Sequence, residues 1–143
     1  MILFRAIKPL AIKILEPYLL DDPDYPKDRF MKDMEVYMES SSESFLVVLL
    51  LEGTKVRAFV IAYVPAEHKH LFIIQAYCDP DLANTEWPKN VYKMVEDFAR
   101  DAGLNQIRAE TKRSPEAFMR RWGFEPFSTI IAKDIEDQDN GND

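Results

Sequence analysis

The sequence predicts an α/β domain: a mostly antiparallel sheet with helices packed on both faces. Three observations predict it. Phe30, Met31, Met34, Tyr37 and Met38, and later Trp87, Val91, Met94, Val95, Phe98 and Ala102, recur at helical spacing. Between these two helices, Ser44 to Cys78 is rich in β-branched and aromatic residues, interrupted only by short turns. The strands in that stretch are almost continuously apolar, which requires cover on both faces.

The elements follow in order. Residues 2–7 predict a short strand. A helix starts near Lys8, with Pro9 in its first turn, where a missing N–H costs nothing. Pro17 breaks or kinks it. Asp21-Asp22-Pro23-Asp24-Tyr25-Pro26 is an acidic, proline-rich loop. The first strong amphipathic helix comes next and ends at Ser40-Ser41-Ser42. Ser44–Glu52 and Lys55–Val64 predict two strands joined by a tight turn at Gly53-Thr54. After a turn over Pro65–Lys69, His70 to about Cys78 predicts a third strand, completing an antiparallel meander. Asp79–Glu86 is a polar loop. The long helix from Trp87 is closed by Gly103. Leu104–Glu110 predicts a strand, and Ser114-Pro115 opens a short helix with Phe118 and Trp122 on one face and Gly123 at its end. Phe124–Ile135 predicts a last extended segment, bent at Pro126. The domain is placed at residues 1–135, with no internal repeat, and the acidic tail 136–143 is expected to be disordered.

Composition narrows the function. The 143 residues carry 25 acids against 18 Lys and Arg. Five of those acids lie in the last ten residues, which hold no base, so the body is close to neutral. A broad nucleic-acid surface needs a basic face and is not expected. A single cysteine excludes an internal disulfide framework and a multi-Cys zinc site. The longest apolar run is Phe45–Leu51, far short of the about 20 residues a membrane helix needs. Arg5, Lys8, Lys13 and Glu16 interrupt any signal-peptide core, so the expected address is the cytoplasm, with no membrane partner. Glycine is scarce: Gly53, Gly103, Gly123 and Gly141 are all there are. Neither GxGxxG nor GxxxxGK[ST] occurs, so nucleotide-binding folds of those two types are excluded.

The element order resembles the GNAT superfamily of N-acyltransferases. The run Ser114-Pro115-Glu116-Ala117-Phe118-Met119-Arg120-Arg121-Trp122-Gly123-Phe124-Glu125 is similar to that family's closing signature, and Asp97-Phe98-Ala99-Arg100-Asp101-Ala102-Gly103 to the end of its central helix. The resemblance implies a mixed sheet in which the meander splays from the following strand, with acetyl-CoA or another acyl-CoA in the gap. It implies that the pantetheine arm lies along the third meander strand, here at Gln75, Ala76 and Cys78. It also implies that the pyrophosphate rests on the loop opening the central helix, here with Asn84, Thr85 and Lys89. The acceptor it implies is a small-molecule or protein amine.

The chain departs from the family at three places. The family's Gln/Arg-x-x-Gly-x-Gly/Ala loop falls on Ala83, Glu86 and Pro88. Its frequent tyrosine acid falls on Met119, and its asparagine near Lys112. Two functions remain in view: an acyl-CoA-dependent N-acyltransferase with a degenerate cofactor loop, and a catalytically inactive GNAT-like binding or structural module, with the phage type among such modules.

Individual residues weigh differently. Amine attack on a thioester needs a proton acceptor and a proton donor for the leaving thiolate. Tyr77 and Asp79 are the candidates for catalysis, against a core-edge tyrosine and a cap for the turn at Pro80. Cys78 is read as a packed strand cysteine rather than a nucleophile. His68 and His70 share a strand face but have only Glu67 beside them, too few ligands for a zinc site. Arg108, Lys112, Arg113, Arg120 and Arg121 are read as a solvated basic face rather than a 3′-phosphate site. Trp87, Phe98, Phe118 and Trp122 are read as core. In the family, the connection between the first two helices lines the acceptor side. Here that connection is acidic (Asp21, Asp22, Asp24, then Asp28), which would attract a cationic amine, though ordinary loop solubility accounts for it as well.

Overall fold

The computed structural model describes residues 1–67, 69–110, 122–127 and 131–135. Within them, five strands form one sheet in sequence order: β1 (Ile2–Ala6), β2 (Phe45–Glu52), β3 (Lys55–Tyr63), β4 (His70–Cys78) and β5 (Gln106–Ala109). The first four are antiparallel neighbours, and β5 joins β4 in parallel. Helices α1 (Leu10–Leu15) and α2 (Lys27–Ser40) lie in the first half of the chain and α3 (Trp87–Asp101) in the second. The expected fold class holds.

The side-chain alternation of β2 decides the layering. Phe45, Val47 and Leu49 join Ile12, Leu15, Phe30, Met34 and Met38 in one core. Leu46, Val48 and Leu50 join Val91, Val95 and Ala99 in the other. A strand aims successive side chains at opposite faces, so one apolar run feeds both layers. Each large side chain taken out of water here contributes roughly 1.5–3 kcal/mol.

Local chemistry sets the joints. Gly53 turns the β2–β3 hairpin at φ +61°, where a Cβ would be strained. Pro17 stands in a 3-10 turn, Glu16–Tyr18, just beyond α1. Gly103, at φ +75°, ends α3: its N–H bonds Arg100 O, and Leu104 N–H reaches back to Ala99 O at 2.9 Å. Two irregularities shape the sheet. One leaves Arg57 without a β2 partner, between Val56 opposite Leu51 and Ala58 opposite Leu50. The other leaves Ile74 without a β3 partner, between Ile73 opposite Ala62 and Gln75 opposite Ile61.

The expected extended segment Phe124–Ile135 is corrected where it is described, residues 128–130 lying outside the described residues. Residues 124–127 and 131–135 form no strand. Pro126 has no N–H for a ladder. Phe127 instead lies under the Arg108 guanidinium, 4.4 Å from the ring centre, and Ile131 and Ile135 are exposed. The expected helix 114–122, with Lys112, Arg113, Met119, Arg120 and Arg121, falls outside the described residues apart from Trp122, as do His68 and the tail 136–143. No described helix is long and apolar enough to cross a membrane.

Candidate functional site

The parallel strand β5 is short. It pairs with β4 only from His70, opposite Gln106, to Ile73, opposite Ala109. β4 runs on through Ile74 to Cys78 with no β5 partner. Asp79 N–H bonds Arg57 O at 2.9 Å, which fixes the phase of the backbone beyond the bulge. Alternate residues of an antiparallel strand address the same neighbour, so Gln75 and Tyr77 also turn their backbone groups to β3. Ala76 turns its N–H and C=O the other way, toward the space β5 does not fill. Its side chain shares the α3 face with its partner Val60, yet Ala76 is exposed in the middle of a core strand. Cys78 follows in the same phase. It is half-buried against the α3-side core, and its Sγ lies 3.6 Å from Asp79 O.

The opposite face of the same strand is lined by aromatic rings. Tyr77 stacks on Phe59 with ring centres 5.9 Å apart and meets Tyr18 at 5.6 Å. The Gln75 side chain is not in the gap: its Oε1 accepts the Leu20 N–H at 3.1 Å. These two contacts pin the acidic loop after α1 beside the far half of β4. Within that loop, Asp22 Oδ1 accepts the Asp24 N–H at 2.9 Å. Tyr25 donates its hydroxyl to Asp33, and burial together with that bond raises its pKa.

Tyr77 and Asp79 are brought together. The Tyr77 hydroxyl donates to Asp79 Oδ1. Asp79 Oδ2 accepts from Arg57 Nε at 2.5 Å, and Lys55 Nζ stands 3.9 Å away. Arg57 also grips Glu52 and Asp81, at 2.5 and 2.8 Å. The Tyr77 bond, then Arg57, hold the Asp79 carboxyl below its usual range against the opposing effect of burial. The same bond and desolvation push the Tyr77 phenol up to about 12. At neutral pH this is a fixed carboxylate and a firmly protonated phenol. Asp79 is a weak base here and Tyr77 a weak acid, while the phenol oxygen keeps a lone pair that can accept an N–H. Arg57 is the residue missed from the sequence. The visible signal was an arginine inside the apolar run Val56–Tyr63.

The loop opening α3 uses its own donors. Leu82 N–H bonds Asp79 O, Ala83 N–H bonds Pro80 O and Thr85 N–H bonds Leu82 O, at 3.0, 3.2 and 3.0 Å. Thr85 Oγ1 donates to Leu82 O and accepts the Trp87 N–H at 3.3 Å. Pro88, buried in the first turn, has no N–H. Asn84, Thr85, Glu86 and Lys89 are exposed, and Glu86 is the N-cap residue, with no side-chain hydrogen bond to the helix. A pyrophosphate needs a concave row of unengaged N–H groups. Leu82, Ala83, Thr85 and Trp87 have spent theirs within the loop, whereas the edge of β4 at Ala76 does fit an amide-bearing arm.

His70 is buried at the start of β4. Among the described residues, no group of three His, Cys, Asp or Glu is placed to hold a metal ion. Tyr92 stacks on Trp122 with ring centres 4.9 Å apart, and Trp122 Nε1 donates to Pro88 O. Those rings, with Trp87 and Phe98, pack against the α3-side core.

A sheet of this order, an antiparallel meander with a parallel fifth strand that pairs with only the first half of β4, and helices on both faces, is the fold of the GNAT N-acyltransferases. Solved structures share it. Aminoglycoside N-acetyltransferase AAC(6')-Iy, solved with the bisubstrate analogue CoA-S-monomethyl-acetylneamine, superposes with a TM-score of 0.72 at 11% identity, over 95% of this chain and 99% of that one. Aminoglycoside 6'-N-acetyltransferase AAC(6')-IG from Acinetobacter haemolyticus gives 0.70 at 16% identity, over 95% and 100%. Glucosamine-6-phosphate N-acetyltransferase from Arabidopsis thaliana gives 0.61 at 13%, over 95% and 100%. No family model and no curated protein matches the sequence.

Proposed function

We propose that this chain is an N-acyltransferase that takes an acyl group from a pantetheine thioester lying along β4 and passes it to an amine. The observation that carries the reading is Ala76: an exposed residue of a core strand whose backbone donor and acceptor face the space beyond the end of β5. An extended amide chain placed there adds a short ladder to β4, as a further strand would. The amine approaches from the α1–α2 side, where Tyr77 offers its phenol oxygen as an acceptor and Asp79 holds the phenol proton. Asp21, Asp22 and Asp24 favour a cationic acceptor. Structural neighbours solved with a neamine-derived bisubstrate and with sisomicin point to the same acceptor chemistry. Neighbours solved with CoA point to a donor that carries the pantetheine arm found in acetyl-CoA. Asn84, Thr85 and Lys89 have no part in this reading. A cytoplasmic setting suits a chain with one thiol.

The engaged amides of the loop and the committed Tyr77 proton favour one second reading, a binding module that retains the slot without turnover. Thiol release in the presence of a panel of cationic amines separates the two. The transferase reading expects free thiol and an acylated amine in equal amounts, detected by a thiol reagent and by mass. Tight thioester binding with no thiol release over the uncatalysed rate leaves the module.

A further inference from the structure

We propose that the acyl donor of this chain is a pantetheine thioester without the adenosine pyrophosphate, either free or carried on a protein; this rests on the transferase reading above. Binding a diphosphate at the start of a helix draws on free backbone N–H groups, a favourable dipole and neighbouring cations. Among the described residues several of these are committed elsewhere, while Lys89 stays exposed in the first turn of α3. The amides of Leu82, Ala83, Thr85 and Trp87 bond within the loop, and position 88 is proline. Glu86, the N-cap residue of α3, puts an exposed carboxylate beside the helix start without bonding its N–H groups. Arg57, the cation built into the base of this loop, is held by Glu52, Asp79 and Asp81. A diphosphate at this position would meet Glu86 and Asp81 and displace existing hydrogen bonds to gain new ones.

The arm is a different matter. It is an uncharged chain with two amides, and the open edge at Ala76 supplies both a donor and an acceptor for it. The transfer needs nothing from the nucleotide. The amine nitrogen, as the free base, attacks the thioester carbonyl. The C–N bond forms and the C–S bond breaks. The pantetheine thiol leaves with the proton given up by nitrogen, and the acyl group stays on the amine as an amide.

The test uses the full chain and three probes in calorimetry at one ionic strength: S-acetyl-pantetheine, an acyl carrier protein bearing the S-acetyl-phosphopantetheine arm, and acetyl-CoA. Acetyl-CoA is expected to bind no more than about threefold tighter than S-acetyl-pantetheine, because the shared arm makes the contacts. If the carrier protein binds tighter than the free arm, the source is a carrier; equal affinities make it the free thioester, and either outcome upholds the proposal. Acetyl-CoA binding about tenfold or more tighter than S-acetyl-pantetheine, ~1.4 kcal/mol of nucleotide contact, overturns it and leaves the transferase reading standing. If none of the three binds at millimolar concentration, both fall. Amide NMR on the unaltered chain gives a second reading. S-acetyl-pantetheine should move the Ala76 resonance, and acetyl-CoA should leave Leu82, Ala83 and Thr85 where they are. Shifts at those three amides on adding acetyl-CoA overturn the proposal.

Discussion

Arg57 holds Asp79 twice over: its Nε meets Oδ2 at 2.5 Å, and its carbonyl takes the Asp79 N–H at 2.9 Å. The two side chains are 9% and 10% exposed. The irregular register of β3 makes this possible, since Arg57 is the residue the β2 ladder skips. One residue therefore ties the β2–β3 hairpin to the end of β4 and, through Asp81, to the loop before α3.

Replacing Arg57 by Met strands a nearly buried carboxylate. The melting temperature should fall by about 5 °C or more, since removing one partner of a buried pair costs far more than the pair contributes. Asp81→Asn touches an exposed partner of the same arginine and should change it by no more than about 2 °C. Calorimetric melting of both variants checks the contrast.

The pKa of Asp79 is lower in the folded chain than in the unfolded one. Its contribution to stability is present above the unfolded value, about 3.9, and is lost as pH falls through the folded value. Tyr77 has the opposite sign. Its folded pKa, about 12, lies above the unfolded value of 10, so its contribution is complete below pH 10 and lost as pH rises toward 12. Denaturant titrations at several pH values should show both limbs. Tyr77→Phe should flatten the alkaline limb only in part, because Tyr92 is also raised to about 12.

If the phenol oxygen of Tyr77 receives the acceptor amine, Tyr77→Phe should lower kcat/KM for the amine by about 3- to 10-fold, the worth of one hydrogen bond. The affinity for S-acetyl-pantetheine should not change. Steady-state rates with varied acceptor, together with a donor titration, distinguish this from general damage to the fold.

Phe59 is 1% exposed and lies under the Tyr77 ring. Phe59→Ala should cost about 3–5 kcal/mol, through lost burial and the cavity left behind. Gly103→Ala fails differently. A Cβ meets nothing within 4 Å, but φ is +75°, so the cost is backbone strain of about 1 kcal/mol. Urea unfolding of the two variants should show that difference in size.

Much of the architecture was legible from residue order. The continuous apolar run Phe45–Leu51 and the turn at Gly53 specify the hairpin. The spacing of Val91, Val95 and Ala99, with Gly103 after it, specifies α3 and its end. These are local properties, decided by side-chain periodicity and by which residues tolerate a positive φ. The candidate site was legible only as residue numbers. Tyr77 and Asp79 could be singled out, but not that Arg57, 22 positions from Asp79, locks the carboxylate. Nor could the order of letters reveal that the Gln75 side chain turns away to the Leu20 amide, or that β5 stops opposite Ile73 and leaves Ala76 uncovered. Pairing partners, bulge positions and the length of a parallel ladder depend on contacts between distant segments. Those contacts exist only once the chain has packed, so the tertiary structure alone decided which groups are spent and which remain to bind.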